Sequence, residues 1–174
     1  MENFLLQREL TISCSRTERG KHMQLGIRLH DIKKAPLEER LAIAKEQGFL
    51  CGHLALSKVI TEYPVDDGAL TPGYAMYLKK IFAKNDLDIA VLGCYLNLAN
   101  PDEGQLAKIT HRYLAHIRFA SLLGVGVVGT ETGAVNEAYK FEEKNHSDEA
   151  LDIFIQNVKP VSYTHLTLPT TSRV

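Results

Sequence analysis

Four times between residues 24 and 158, a short apolar run gives way to a segment whose apolar residues recur every three or four positions. The first run, residues 24–29, ends at His30-Asp31 and a turn carrying Lys33, Lys34 and Pro36. Helical spacing then begins, with Leu37, Leu41 and Ala44 on one side and Glu38, Glu39, Arg40 and Lys45 on the other. Pro36 suits a helix start and Gly48 suits its end. The second run covers residues 52–56. It leads through Pro64, Asp66, Asp67 and Gly68 to a helix starting near Thr71-Pro72 and carrying Met76, Leu78, Ile81 and Phe82. The third run, residues 88–92, is almost uninterrupted Ile-Ala-Val-Leu, the pattern of a parallel strand buried on both faces. A helix over residues 101–123 follows, then a fourth strand over 125–129. The last helix, over 147–158, places Ala150, Leu151, Phe154, Ile155 and Val158 along one stripe, with Ser147 as its N-cap and Glu149 in its first turn.

Consecutive strand–helix units pair their strands in parallel, because each crossover is right-handed and returns the chain to the same end of the sheet. The fold class is therefore α/β, either a doubly wound sheet or part of a barrel. A dinucleotide fold wants a glycine-rich turn after the first strand, and here that turn reads His30-Asp31-Ile32-Lys33-Lys34. The Gly-Val-Gly within residues 124–133 begins ahead of its strand, which is the wrong side for a phosphate loop.

Charge narrows the partners. Twenty Lys and Arg against 21 Asp and Glu leave a net charge of −1, so no global positive field gathers nucleic acid or an anionic membrane, and neither is expected as a partner. Three widely spaced cysteines, Cys14, Cys51 and Cys94, suit a reducing cytoplasm better than a disulfide framework or a zinc knuckle. No apolar run approaches the roughly 20 residues that span a bilayer. Glu2, Arg8 and Glu9 interrupt the apolar stretch that a signal peptide would need. A soluble cytoplasmic protein is expected.

Both ends differ from the body. Residues 1–22 carry no continuous period and close on Glu18-Arg19-Gly20-Lys21-His22, whose codons could spell a purine-rich ribosome-binding sequence just ahead of Met23. Met23 is thus the expected initiator, and residues 1–22 an extension from an over-called start; the alternative is an ordinary N-terminal strand and arm. At the other end, residues 161–170 resemble the conceptual translation of a sequencing-library adapter. Residues 162–174 are expected to be a non-native tail, so that residues 23–161 are a domain cut part-way.

Within that body, the stretches Leu25 to Asp31, Gly52 to Lys58, Val91 to Asn97 and Val127 to Gly133 resemble the first four strand ends of bacterial sugar-phosphate isomerases/epimerases, which share a TIM barrel with xylose isomerase and endonuclease IV. The resemblance implies a partial (β/α)8 barrel, about the first four βα units. Reacting groups of such barrels lie where strands end, which singles out His30, Asp31, Ser57, Lys58, Tyr95, Asn97 and Glu131. It implies that Glu131 is one of four ligands to a divalent metal (Mn, Mg, Co or Zn) and also an acid/base group, with an Asp, a His and a Glu from later strands completing the set. Moving a proton beside a ketose carbonyl needs a polarised carbonyl and a carboxylate to shuttle the proton.

The remaining positions carry two readings each. His30 either approaches substrate or packs at the barrel rim. Lys58 either binds a phosphate or is a solvated loop lysine. Tyr95 and Asn97 wall the pocket, and Glu137 is a second carboxylate near it. His53, inside the second strand, is expected in the core; His111 and His116 belong to the third helix. The expected ligand is a sugar or sugar phosphate, and the fragment is expected to be inactive alone. The alternatives are an endonuclease-IV-like repair nuclease, disfavoured by Cys94, Tyr95 and Asn97 where histidine is wanted, and a non-catalytic half-barrel that self-associates through its open edges.

Overall fold

The computed structural model describes residues 23–166, with side chains through residue 163. The extension at residues 1–22, with Cys14, and residues 167–174 of the tail lie outside the described residues. The first unit is strand β1 (Gly26–Arg28), a single 3-10 turn over Leu29–Asp31, and helix α1 (Leu37–Glu46). The second is β2 (Cys51–Ala55), the one-turn helix α2 (Leu56–Val59) and α3 (Pro72–Lys84). Then come β3 (Asp88–Gly93), α4 (Glu103–Leu123), β4 (Val128–Gly129) and α5 (Asp148–Leu166). The four strands form one parallel sheet in the order β1-β2-β3-β4. Sequential parallel order with helices as crossovers is the pattern of a barrel, since a doubly wound sheet reverses direction part-way.

Local chemistry sets the ends of these elements. Thr71 caps α3 by accepting from the Tyr74 amide at 3.2 Å, with Pro72 at the first helical position. Asp102 caps α4 through the Gln105 amide at 2.6 Å, and Ser147 caps α5 through the Ala150 amide at 3.2 Å. Each cap answers an amide that the helix itself leaves without a partner.

The outer face of the sheet meets α1, α3 and α4 in the larger core, built on Leu29, Leu41, Leu54, Leu78, Phe82, Leu92 and Phe119. A second cluster of Cys94, Leu98, Tyr113 and Val161, with Phe154 and Val158 against it, joins α5 to α4 and the β3 end.

Three expectations need correction. The fourth strand is only two residues long, not residues 125–129; Val125 is buried in the larger core and its amide bonds the Ala120 carbonyl that ends α4. Helix α5 continues past Val158 to Leu166 with Pro160 inside it, because Val161 extends the apolar stripe of Phe154 and Val158 into the second cluster. Arg40, assigned to the polar face of α1, is 3% exposed. Its guanidinium donates to the Ala35 carbonyl at 2.7 Å and the Leu29 carbonyl at 3.0 Å, pinning the loop between β1 and α1.

Candidate functional site

Side chains alternate along a strand, so residues next to the core-facing ones look the other way. In β2, Leu54 faces the helices, which turns His53 toward the concave side. His53 lies outside both apolar clusters and is only half-buried, correcting its assignment to the core. Its Nε2 stands 2.7 Å from the Tyr95 hydroxyl, and its ring meets His30 and Tyr95 edge-on, with centroids 5.4 and 5.6 Å away. Room for this contact comes from Gly93. A Cβ there would stand 2.7 Å from the Tyr95 ring and closer still to His53.

His30 sits in the 3-10 turn after β1, its side chain 10% exposed. Arg28 donates to its Nε2, from Nη2 at 2.7 Å and from Nε at 3.2 Å. Arginine has only donors, so Nε2 is the acceptor and the ring proton is on Nδ1; that nitrogen is buried without a hydrogen-bond partner. Burial, followed by the Arg28 charge, lowers the pKa of His30. Burial, followed by His30, Arg28 and Lys58, lowers that of His53. Burial raises the phenol of Tyr95, with Glu131 adding to it and Arg28 opposing. Tyr95 therefore keeps its proton and donates it to a neutral His53.

Lys58, in α2, holds its ammonium 4.4 Å from the centre of the Tyr95 ring, a cation–π contact. Ser57 beside it is exposed. Asp31 is exposed and pairs with Arg28 Nε at 3.4 Å. Strand ends β1, β2 and β3 thus bring His30, His53, Lys58 and Tyr95 into one contiguous polar and aromatic patch.

Glu131 follows β4 by two residues, and its carboxylate accepts a short hydrogen bond from the Tyr139 hydroxyl. Burial raises the Tyr139 pKa first, and the bond and charge of Glu131 raise it further. Next to Glu131, the Thr130 hydroxyl lies 2.6 Å from that of buried Tyr113, which also bonds the Leu96 backbone. Desolvation pushes the Tyr113 phenol up to about 12. The strand end carrying Glu131 is thereby fixed to the end of β3.

Asn97, expected to wall the pocket, is 4% exposed and is occupied elsewhere. Its Oδ1 accepts from the Ala134 amide at 2.8 Å and the Ala99 amide at 3.2 Å, and its Nδ2 donates to the Asn136 carbonyl at 3.1 Å. It ties the loop after β3 to the loop that presents Tyr139. Glu137 is exposed on that same loop and takes no part in these bonds. His111 is exposed, 3.7 Å from Asp67; His116 is buried and bonds the Arg112 carbonyl at 2.9 Å. Both lie in α4, and His116 lines a pocket together with Ser57 and Tyr95.

The residues do not by themselves fit a metal centre. Among the described residues, no three His, Cys, Asp or Glu side chains are grouped to hold an ion, and the Glu131 carboxylate is engaged by a phenol. Sequence reasoning passed over His53, Arg40 and Tyr139. Strand alternation alone could have placed the first on the concave side.

Among solved structures, the chain is similar to D-psicose 3-epimerase from Clostridium cellulolyticum H10, solved with D-tagatose, at 14% identity and a TM-score of 0.58 over 83% of this chain and 49% of that one. It is similar also to protein SMc04130 from Sinorhizobium meliloti 1021, at 16% identity and a TM-score of 0.59 over 82% of this chain and 46% of that one. The chain spans about half the length of both. The fold is accordingly that of half a TIM barrel. No protein-family model matches the sequence, and no curated protein matches it. No helix among the described residues is long and apolar enough to cross a membrane.

Proposed function

We propose that residues 23–161 supply half of the substrate mouth of a sugar or sugar-phosphate isomerase/epimerase, with a ketose as the ligand class. The observation behind this reading is that His30, His53, Tyr95 and Lys58 meet at the ends of three strands, with Glu131 just past the fourth. Neutral imidazoles and a phenol exchange hydrogen bonds with hydroxyl groups, and aromatic rings offer flat faces to the C–H face of a sugar. The Lys58 ammonium suits a carbonyl or phosphate oxygen. Glu131 is the carboxylate that would take a proton from the carbon beside the carbonyl. Tyr139 orients it, and Asn97 acts through the loop that carries Tyr139.

A divalent metal in this family would supply carbonyl polarisation, with Glu131 as its ligand from this chain. One carboxylate is not a site, so binding without turnover is the activity assigned to the chain, and Glu137 is left as a second carboxylate of the rim. The D-tagatose in the solved D-psicose 3-epimerase supports a ketohexose as the probe.

Calorimetric titration with D-tagatose tests the reading. Saturable binding is expected, weakened roughly tenfold by Lys58→Ala or Glu131→Gln, the loss of one charge-assisted hydrogen bond. No heat of binding, or binding untouched by both substitutions, would remove the sugar reading.

A further inference from the structure

The sheet has two unpaired edges among the described residues, since β1 pairs only with β2 and β4 only with β3. In the β3–β4 ladder the Val127 and Gly129 carbonyls accept from Leu92 and Cys94. Parallel alternation therefore turns the Val128 amide and carbonyl to the open side. Beside that edge runs an apolar groove of about 660 Å³ between α4 and α5, lined by Tyr113, Ile117, Val125, Val128, Val158 and Val161. At the other edge, Leu25 and Met23, just ahead of β1, are 66% and 98% exposed. Exposed apolar surface next to unpaired strand edges favours association.

We infer that the occupant of the groove is the β1 edge of a second copy of this chain, and that two copies close one eight-stranded barrel. Strand direction selects this arrangement. Both free edges belong to strands running the same way, so a two-fold axis parallel to the strands sets β4 of each copy beside β1 of the other, still parallel. Two four-stranded sheets then supply the eight strands of a closed barrel. The start of β1 from the partner falls beside Gly126 at the start of β4, bringing Leu25 to the groove. A longer chain segment in place of the second copy is the competing occupant, and it predicts a monomer that stays monomeric.

The arrangement completes the site. One mouth would carry two sets of His30, His53, Tyr95, Lys58 and Glu131 on opposite sides of the axis, so each copy contributes to the other's rim. This inference stands on the fold and goes beyond the sugar reading; either can fail while the other stands.

Sedimentation equilibrium of the full chain, with two substitutions at separate edges, decides it. Ser121→Arg is on the exposed side of α4 at the groove, and Leu25→Glu is on the opposite edge. Neither belongs to the core clusters or to the rim, and far-UV circular dichroism reports whether each variant keeps its fold. The expected result is a discrete dimer of twice the chain mass, with both variants monomeric and folded. A monomeric wild-type chain overturns the inference. Open-ended larger assemblies, or a dimer that survives Leu25→Glu, overturn it equally, because a closed pair must use both edges at once.

Discussion

The hydroxyl of Tyr95 and Nε2 of His53 stand 2.7 Å apart across the concave face, joining the ends of two strands. Because burial keeps the phenol protonated, this bond favours neutral His53. Histidine ring proton shifts followed against pH should give titration midpoints for His30 and His53 below the ordinary value of about 6.5. Tyr95→Phe should move His53 upward more than His30. Stability follows the same sign. His30, His53 and His116 are all lowered in the fold, chiefly by burial. Their contribution is complete above about 6.5 and is lost as pH falls through the lowered folded values, where the unfolded chain binds protons that the folded one refuses. Urea midpoints measured on either side of that window should fall on the acid side.

The Tyr139–Glu131 bond makes a spectroscopic prediction. Burial and the Glu131 carboxylate together hold the Tyr139 phenol above its ordinary range. Glu131→Gln removes the charge and weakens the bond, so one tyrosine in the alkaline absorbance titration should ionise earlier than in the parent. An unchanged titration would mean that Tyr139 does not hold the carboxylate.

Gly133 lies at φ 87°, and a Cβ there would press on the Asn97 carboxamide and stand 3.2 Å from the Ala99 amide. Gly133→Ala should cost about 1–3 kcal/mol in chemical denaturation through backbone strain and disturbed bonds. Asn97→Leu strands the Ala99 and Ala134 amides and should cost a similar amount, about 2–3 kcal/mol. Asn97→Asp keeps the acceptor and should cost less than Asn97→Leu.

Arg40 is the strut under His30. Arg40→Met fills its volume but leaves the Leu29 and Ala35 carbonyls without their donor, with an expected loss of about 2–4 kcal/mol by urea denaturation. Because Leu29 precedes His30, the His30 ring resonances should shift more than those of His116.

How much of this was legible in the sequence depends on how local the cause is. Strand–helix alternation was visible because Leu41, Leu78 and Phe82 recur at helical spacing and meet the sheet that Leu54 and Leu92 belong to. The strand-end positions of His30, Tyr95 and Glu131 followed from that frame. His53 was obscured by its apolar neighbours, and its direction became clear only once Leu54 was known to face the helices. Arg40 reads as polar surface until the loop from Leu29 to Ala35 folds back over it. Asn97 and Tyr139 owe their roles to a loop closed by contacts 39 and 8 residues apart in sequence, which no local pattern encodes. The length of α5 was underestimated because the adapter-like segment from Val161 was set apart from the helix, whereas Val161 finds a buried place.

The central claim is that the strand ends form a ketose-binding rim, and histidine ring resonances report on it most directly. During titration with D-tagatose, the signals of His30 and His53 should shift together and saturate, while that of His111, exposed on α4, stays in place. Saturable shifts confined to α4, or none at all for the rim histidines, would contradict the account.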